Sequence, residues 1–269
     1  MLDRMTFRWM TVFLDFRADA FEAGVAFWRE VTGCGLSSFR GPTKDFATLL
    51  PPSGDAYLRV QRLLSGGVSG GVSGGGCHLD LHTAAGSLEE EADRAVALGA
   101  RVRHREAGEL IVADSPGGFT FCLVRWDGER FVPPPAGGSR VDTLCLDVPP
   151  ARFGAECAFW SALTGGEAHP APVPGFTSLK GPAGMPVRLL LQRLDDAALG
   201  QRVRAHVDIG ATDVAGEVAR HVGLGARVTA TLPYWTVLAD PADREYCIVV
   251  RRPADPSGSA GPTGSDGGA

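Results

Sequence analysis

The chain of 269 residues is 44% hydrophobic, enough to bury a sizeable core in one large domain or two of ordinary size. Its formal net charge of −5 speaks against nucleic acid or an anionic membrane surface as a partner. No apolar run approaches the roughly 18 residues of a membrane span, and the start, with Asp3, Arg4 and Arg8, lacks the apolar core of a signal peptide, so a cytoplasmic protein is expected.

Residues 10–16 read as a strand and 20–31 as a helix ended by Gly33; residues 46–50 and 57–63 read as strands. The stretch 65–76 (SGGVSGGVSGGG) is a low-complexity loop for which no structure is expected. Residues 77–82 read as a strand and 87–98 as a helix, with Ser87 as N-cap, Glu90 placed to complete a capping box, and Gly99 just past the end. Strands at 102–104, 110–113 and 119–125 close the unit. Residues 132–139 (VPPPAGGS) interrupt every periodicity and read as a linker.

The succession then restarts. Leu14-Asp15, Ala26-Phe27-Trp28 and Thr32-Gly33 recur as Leu146-Asp147, Ala158-Phe159-Trp160 and Thr164-Gly165, all at a shift of 132. Gln61-Arg62-Leu63 recurs as Gln192-Arg193-Leu194, and His78-Leu79-Asp80 as His206-Val207-Asp208. Phe121-Cys122-Leu123-Val124 returns as Tyr246-Cys247-Ile248-Val249, by then at a shift of 125. Fixed order with a slowly shrinking shift means a duplicated globular unit with small loop deletions, not a solenoid. The expected organisation is one module at 5–128, a linker at 129–139, a second module at 140–252 and a disordered Gly/Ser/Pro-rich tail at 253–269.

The six cysteines (Cys34, Cys77, Cys122, Cys145, Cys157 and Cys247) form no CxxC pair and sit mostly in apolar runs, so reduced, mainly structural thiols are expected. Neither an HExxH zinc helix nor a GxxxxGK[ST] phosphate loop occurs.

Phe-Trp at the end of the first helix, Gln-Arg-Leu on a strand, His-x-Asp on a middle strand, and residues 234–241 running into Glu245-Tyr246-Cys247 together resemble the vicinal oxygen chelate superfamily, the glyoxalase, bleomycin-resistance and extradiol-dioxygenase group. The resemblance covers roughly residues 5–126 and 138–252. It implies an α+β protein of two tandem modules. Each would consist of paired βαβββ units whose mixed sheet curls into an incomplete barrel, with helices on the convex face and a ligand cleft on the concave one.

Strand alternation then assigns faces. Leu79 and Leu81 should pack under the helices, leaving His78, Asp80 and His82 toward the cleft; Tyr57, Arg59 and Gln61 join them. In the second copy Arg188, Leu190, Gln192, His206 and Asp208 should face the cleft. Expected roles are His206 or His78 as a base or sole metal ligand, Asp208 or Asp80 orienting it, Arg188 or Arg59 fixing an anionic group, and Gln192 or Gln61 polarising an oxygen. Trp9, Phe13, Tyr234 and Trp235 are expected as an apolar wall, and Trp28, Trp160, Phe27 and Phe159 as packing. His82, matched by Gly210 in the second copy, is either specific to one site or simply solvated.

Metal-using relatives take one ligand from the first strand, a His from the middle strand and a Glu from the last. The resemblance puts Thr11 and Thr143, His78 and His206, and Cys122 and Cys247 at those places. No cofactor is therefore expected with certainty; a divalent ion, if bound, would use His206 and Glu245, two residues before Cys247. Two functions remain open: a lyase, isomerase or oxygenase acting on a carbonyl or hydroxyl metabolite, and a metal-free protein that sequesters an antibiotic or metabolite. The partner is a small molecule, and the chain is expected as a monomer or homodimer.

Overall fold

The computed structural model describes residues 7–63, 76–84, 87–195, 202–251 and 253. The expected loop at 65–76, except for Gly76, and the expected tail at 253–269, except for Pro253, lie outside the described residues.

The first copy runs β1 (Phe7–Arg17), α1 (Phe21–Thr32), β2 (Gly35–Leu36), β3 (Phe46–Leu50), β4 (Leu58–Leu63), β5 (Gly76–Thr83), α2 (Leu88–Ala97), β6 (Arg101–Glu106), β7 (Leu110–Asp114) and β8 (Thr120–Arg125). The second runs β9 (Ser139–Val148), α3 (Phe153–Thr164), β10 (Glu167–Pro170), β11 (Phe176–Lys180), β12 (Arg188–Arg193), β13 (Arg204–Ala211), α4 (Val214–Gly223), β14 (Arg227–Thr231), β15 (Trp235–Ala239) and β16 (Glu245–Val250). Each copy forms its own open eight-stranded mixed sheet, in the orders β2-β3-β4-β1-β5-β8-β7-β6 and β10-β11-β12-β9-β13-β16-β15-β14. Two βαβββ units thus meet at the antiparallel β1/β5 and β9/β13 seams. Among the described residues no helix is long and apolar enough to cross a membrane.

The helices form where apolar residues recur on one stripe. In α1 the buried set is Phe21, Val25, Trp28 and Val31 with Gly24 and Phe27, and the helix stops at Gly33, whose φ of 65° is the left-handed conformation that glycine adopts without strain. The capping box expected at α2 is not formed: Ser87 occupies the N-cap position, but its hydroxyl donates to the Ala84 carbonyl at 2.7 Å. In α4 the equivalent task falls to Asp213, which accepts from the Gly216 N–H at 2.9 Å.

Trp28 and Phe27 pack as expected, but against the other copy. The Trp28 ring lies 5.2 Å from Tyr246, Phe27 lies 5.9 Å from His221, and Trp160 and Phe159 lie 5.4 and 5.8 Å from Phe121 in the mirror arrangement. The last carbonyls of α1 and α3, which no helical N–H can satisfy, are met across the same interface: Arg220 donates to the Glu30 and Val31 carbonyls, Arg94 to those of Ala162 and Leu163. One continuous apolar core therefore runs through both copies.

Candidate functional site

The core fixes which sheet face is left for chemistry. On β1, Val12 and Leu14 are buried in the core with Leu58, Val60, Leu79 and Leu81 from β4 and β5. Their alternates share the opposite face, in register across the strands. Phe13 pairs with Arg59 and His78, Asp15 with Gln61, and Thr11 with Asp80, which pairs in turn with Cys122. In the second copy Cys145 pairs with Leu190 and His206, Asp147 with Gln192, and Thr143 with Arg188 and Asp208, which pairs with Cys247. Phe13, Cys122, Cys145, Leu190 and Cys247 are buried, yet none belongs to the continuous core.

In the first copy His78 sits between two aspartates. Its Nδ1 donates to Asp15 at 2.8 Å, and its Nε2 lies 4.0 Å from Asp80 Oδ1. Burial opposes the imidazolium, but the charge and hydrogen bond of Asp15, with Asp80 behind, outweigh it and raise His78 above the ordinary histidine value. Burial also raises Asp80 and pushes the Cys122 thiol well up. This cluster is capped. The Phe13 ring stacks on His78 at 4.2 Å, and the Arg59 guanidinium lies over Phe13 at 5.5 Å while reaching Asp80 at 3.4 Å.

The second copy repeats the arrangement without the cap. His206 Nδ1 donates to Asp147 at 3.1 Å, and Nε2 lies 3.4 Å from Asp208 Oδ1, an ion-pair contact too long for a good hydrogen bond. That Asp208 oxygen is buried and has no hydrogen-bond partner among the described residues. Burial again opposes the charge, and Asp147 and Asp208 again overcome it, holding His206 well above its ordinary value. Cys145 and Leu190 stand where the first copy has Phe13 and Arg59. The His206 side chain is accordingly 16% exposed against 8% for His78. Burial pushes the Cys145 thiol up to about 12 and raises Cys247, so both are neutral thiols at physiological pH.

Above this floor the curled sheet brings distant strands together. Phe176 on β11 and Trp235 on β15, second from opposite edges, meet edge to face at 5.7 Å. Phe176 pairs with Gln192, and Trp235 shares the strand face of Val237, which pairs with Cys247. Trp235 and Gln192 are half-buried.

Other expected residues fall elsewhere. Trp9 is fully buried in the core with its indole N–H donating to the Ala56 carbonyl at 3.2 Å, so it walls no open cleft; Tyr234 is 60% exposed. His82 is not solvated: it is 1% exposed, with Nε2 2.9 Å from the Thr11 hydroxyl and Nδ1 3.6 Å from Glu129. Burial, reinforced by Arg59, holds it down to about 3. Arg59 and Arg188 are not counterparts, because Arg59 pairs with Phe13 whereas Arg188 pairs with Thr143, one residue pair further along. Gln61 is half-buried beside Asp15.

Asp15, Asp147 and Cys145 were not among the expected site residues. The signal was present: Leu14-Asp15 and Leu146-Asp147 open the repeat, and the period-two set Thr11, Phe13, Asp15 puts both aspartates on the cleft face.

Three donor sets have atoms within 4.8 Å of one another: His78, Asp80 and Cys122; His206, Asp208 and Cys247; and Cys145, Asp147 and His206. Their chemistry does not fit a His/Glu-ligated ion. The Thr143 hydroxyl, at the expected first ligand position, accepts from Arg188 and Arg251 at 2.9 Å each, so two cations flank the place where a metal requires an anion or imidazole. Thr11 is bonded to His82. Glu245 is exposed at the first residue of β16 and belongs to none of the three sets.

Residues 11–124 and 143–249 each match a family model described as "Glyoxalase-like domain". Among curated proteins none matches the sequence. Solved structures share the fold at low identity. A mutant 4-hydroxymandelate synthase from Streptomyces coelicolor is 14% identical, with a TM-score of 0.60, over 93% of this chain and 94% of that one. The Mn(II)-bound glyoxalase from Novosphingobium aromaticivorans is 14% identical, with a TM-score of 0.60, over 93% and 85%. A variant homoprotocatechuate 2,3-dioxygenase from B. fuscum is 12% identical, with a TM-score of 0.58, over 92% and 72%.

Proposed function

The chain belongs to the glyoxalase-like domain family, and from that premise we propose that its second copy is a lyase or isomerase site that moves a proton on a small carbonyl compound, with His206 as acid and Asp208 as base. The observation that carries this reading is the Asp147–His206–Asp208 arrangement, uncapped in the second copy and stacked under Phe13 in the first.

The two aspartates favour the imidazolium, so the base role expected for His206 passes to its neighbour. Asp208 Oδ1 offers a buried acceptor without a hydrogen bond, the kind of group that a native structure retains for a reason. A substrate carbonyl oxygen would accept from His206 Nε2–H, and Asp208 would take the proton from the adjacent carbon. The C–H electron pair then forms the enol C=C bond as the carbonyl pair moves to oxygen and is met by the His206 proton. With an α-hydroxyl the product is an enediol, and return of the Asp208 proton to the former carbonyl carbon, as the α-hydroxyl gives its proton to the now neutral His206, gives the isomer. With a leaving group β to the carbonyl, the enol O–H proton returns to His206 as C=O reforms and the leaving group departs with the Asp208 proton, which gives the lyase product. Asp147 holds the ring in place through Nδ1, and the neutral Cys145 and Cys247 keep the surroundings of low polarity, where such charges act strongly.

The test is solvent deuterium exchange into α-hydroxy ketones followed by proton NMR. Wild type and His78→Ala should exchange, and His206→Ala or Asp208→Asn should lose about 10²–10⁴-fold. Exchange that survives both second-copy substitutions would rule the reading out. The Phe176–Trp235 contact favours a second reading, binding without turnover, which predicts ligand-induced quenching of Trp235 fluorescence with no exchange in any variant.

A further inference from the structure

Duplication gave the molecule two equivalent cavities that have diverged. The first, of about 140 Å³, is lined by Thr32 at the end of α1, Leu49 of β3, and Tyr57 and Leu58. The second, of about 460 Å³, is lined by Thr164 at the end of α3, Leu179 of β11, and Arg188 and Leu189. The register makes them counterparts, since Leu49 pairs with Leu58 as Leu179 pairs with Leu189. The decisive exchange is Tyr57 for Arg188. Tyr57 closes its cavity by donating its hydroxyl to the Val141 carbonyl of the other copy at 2.7 Å.

The second cavity is cationic. Arg140, Lys180, Arg188 and Arg251 line it, with His169, against the single carboxylate of Asp142. That carboxylate is taken by Arg251, which holds it through both Nε and Nη2. Arg188 has its Nε on the Thr143 hydroxyl at 2.9 Å, and burial together with the nearby Arg251 lowers its affinity for its proton. Arg140 stands between the two cavities and lines both, with its Nη1 on the Pro133 carbonyl at 2.8 Å and a buried Nε that has no hydrogen-bond partner among the described residues. Met10, Leu179 and Val187 supply an apolar wall. An enclosure of this size, part apolar with converging cations, matches a small organic ligand with an anionic end.

We infer that this cavity binds a small organic oxyanion, a carboxylate- or phosphate-bearing metabolite, with Arg188 and Lys180 supplying the charge and the Met10/Val187 wall receiving the carbon skeleton. The site does not depend on catalysis at His206, and its counterpart in the first copy shares Arg140 but has no residue answering to Lys180, Arg188 or Arg251 in its lining.

Calorimetric titration of the full chain with inorganic phosphate and with succinate tests this, the tighter of the two naming the source of the oxyanion. Wild type should bind one equivalent in the millimolar range or tighter, more weakly as salt rises. Arg188→Tyr, which installs the residue of the first copy, should weaken binding at least 10-fold, and the exposed Lys180→Gln, which threatens no packing, about 3-fold. His206→Ala should leave binding unchanged, which separates this site from the proposed reaction. No heat with either anion, or equal binding by wild type, Arg188→Tyr and Lys180→Gln, would overturn the inference.

Discussion

Trp28 of the first copy donates its indole N–H to the Asp240 carboxylate of the second at 2.8 Å, joining residues 212 positions apart. Both are buried, and the other Asp240 oxygen accepts from the Ala242 and Arg244 N–H groups. Asp240→Ala would strand these donors and should cost about 2–3 kcal/mol. Because the core is shared, the two copies should unfold together. Circular dichroism and tryptophan fluorescence followed in urea should give coincident transitions; two resolved steps would contradict the shared core.

Gly24 faces the Phe16 ring so closely that an added Cβ would lie 2.2 Å from its Cε1. Phe16 is fully buried and cannot withdraw, so Gly24→Ala should destabilise by about 1–3 kcal/mol through overpacking. Gly154 in α3 has open space at the same point, and Gly154→Ala should be neutral or stabilising by up to about 1 kcal/mol. Chemical denaturation of both variants reads the contrast directly.

His78→Ala leaves the Asp15 carboxylate, 1% exposed, without its cation. Breaking one side of a buried pair should cost about 3–5 kcal/mol, whereas the proposed reaction should be untouched. His206→Ala should show the reverse balance, a smaller loss of stability and loss of exchange. Thermal melts paired with the exchange assay distinguish them.

Stability should fall on both sides of neutrality, for opposite reasons. His78 and His206 bind their protons more tightly folded than unfolded, so their contribution is complete below about pH 6.5 and is lost as pH rises through the folded values. His221, fully buried against Tyr246, is held down to about 4 by burial and by Arg220. Its contribution is complete above about pH 6.5 and declines by on the order of 3 kcal/mol as pH falls to 4. Urea midpoints measured from pH 4 to 9 should trace this maximum, and His221→Gln should make the acid limb shallower without touching the alkaline one, leaving the share that buried His82, held down to about 3, contributes.

The sequence determined the fold, the duplication and the face on which His78, Asp80, His206 and Asp208 stand, because strand alternation and helical stripes are local patterns with fixed periods. It also shows Thr143 and Cys247 at positions where the resemblance implies metal ligands. Only the tertiary structure decided that Asp15 and Asp147 complete the histidine clusters, that Phe13 caps one of them, that Trp28 serves the opposite copy, and that Arg188 answers to Tyr57 rather than to Arg59. Those relationships join residues 45 to 212 positions apart, through strand register and the packing of one copy on the other, and no local period encodes them.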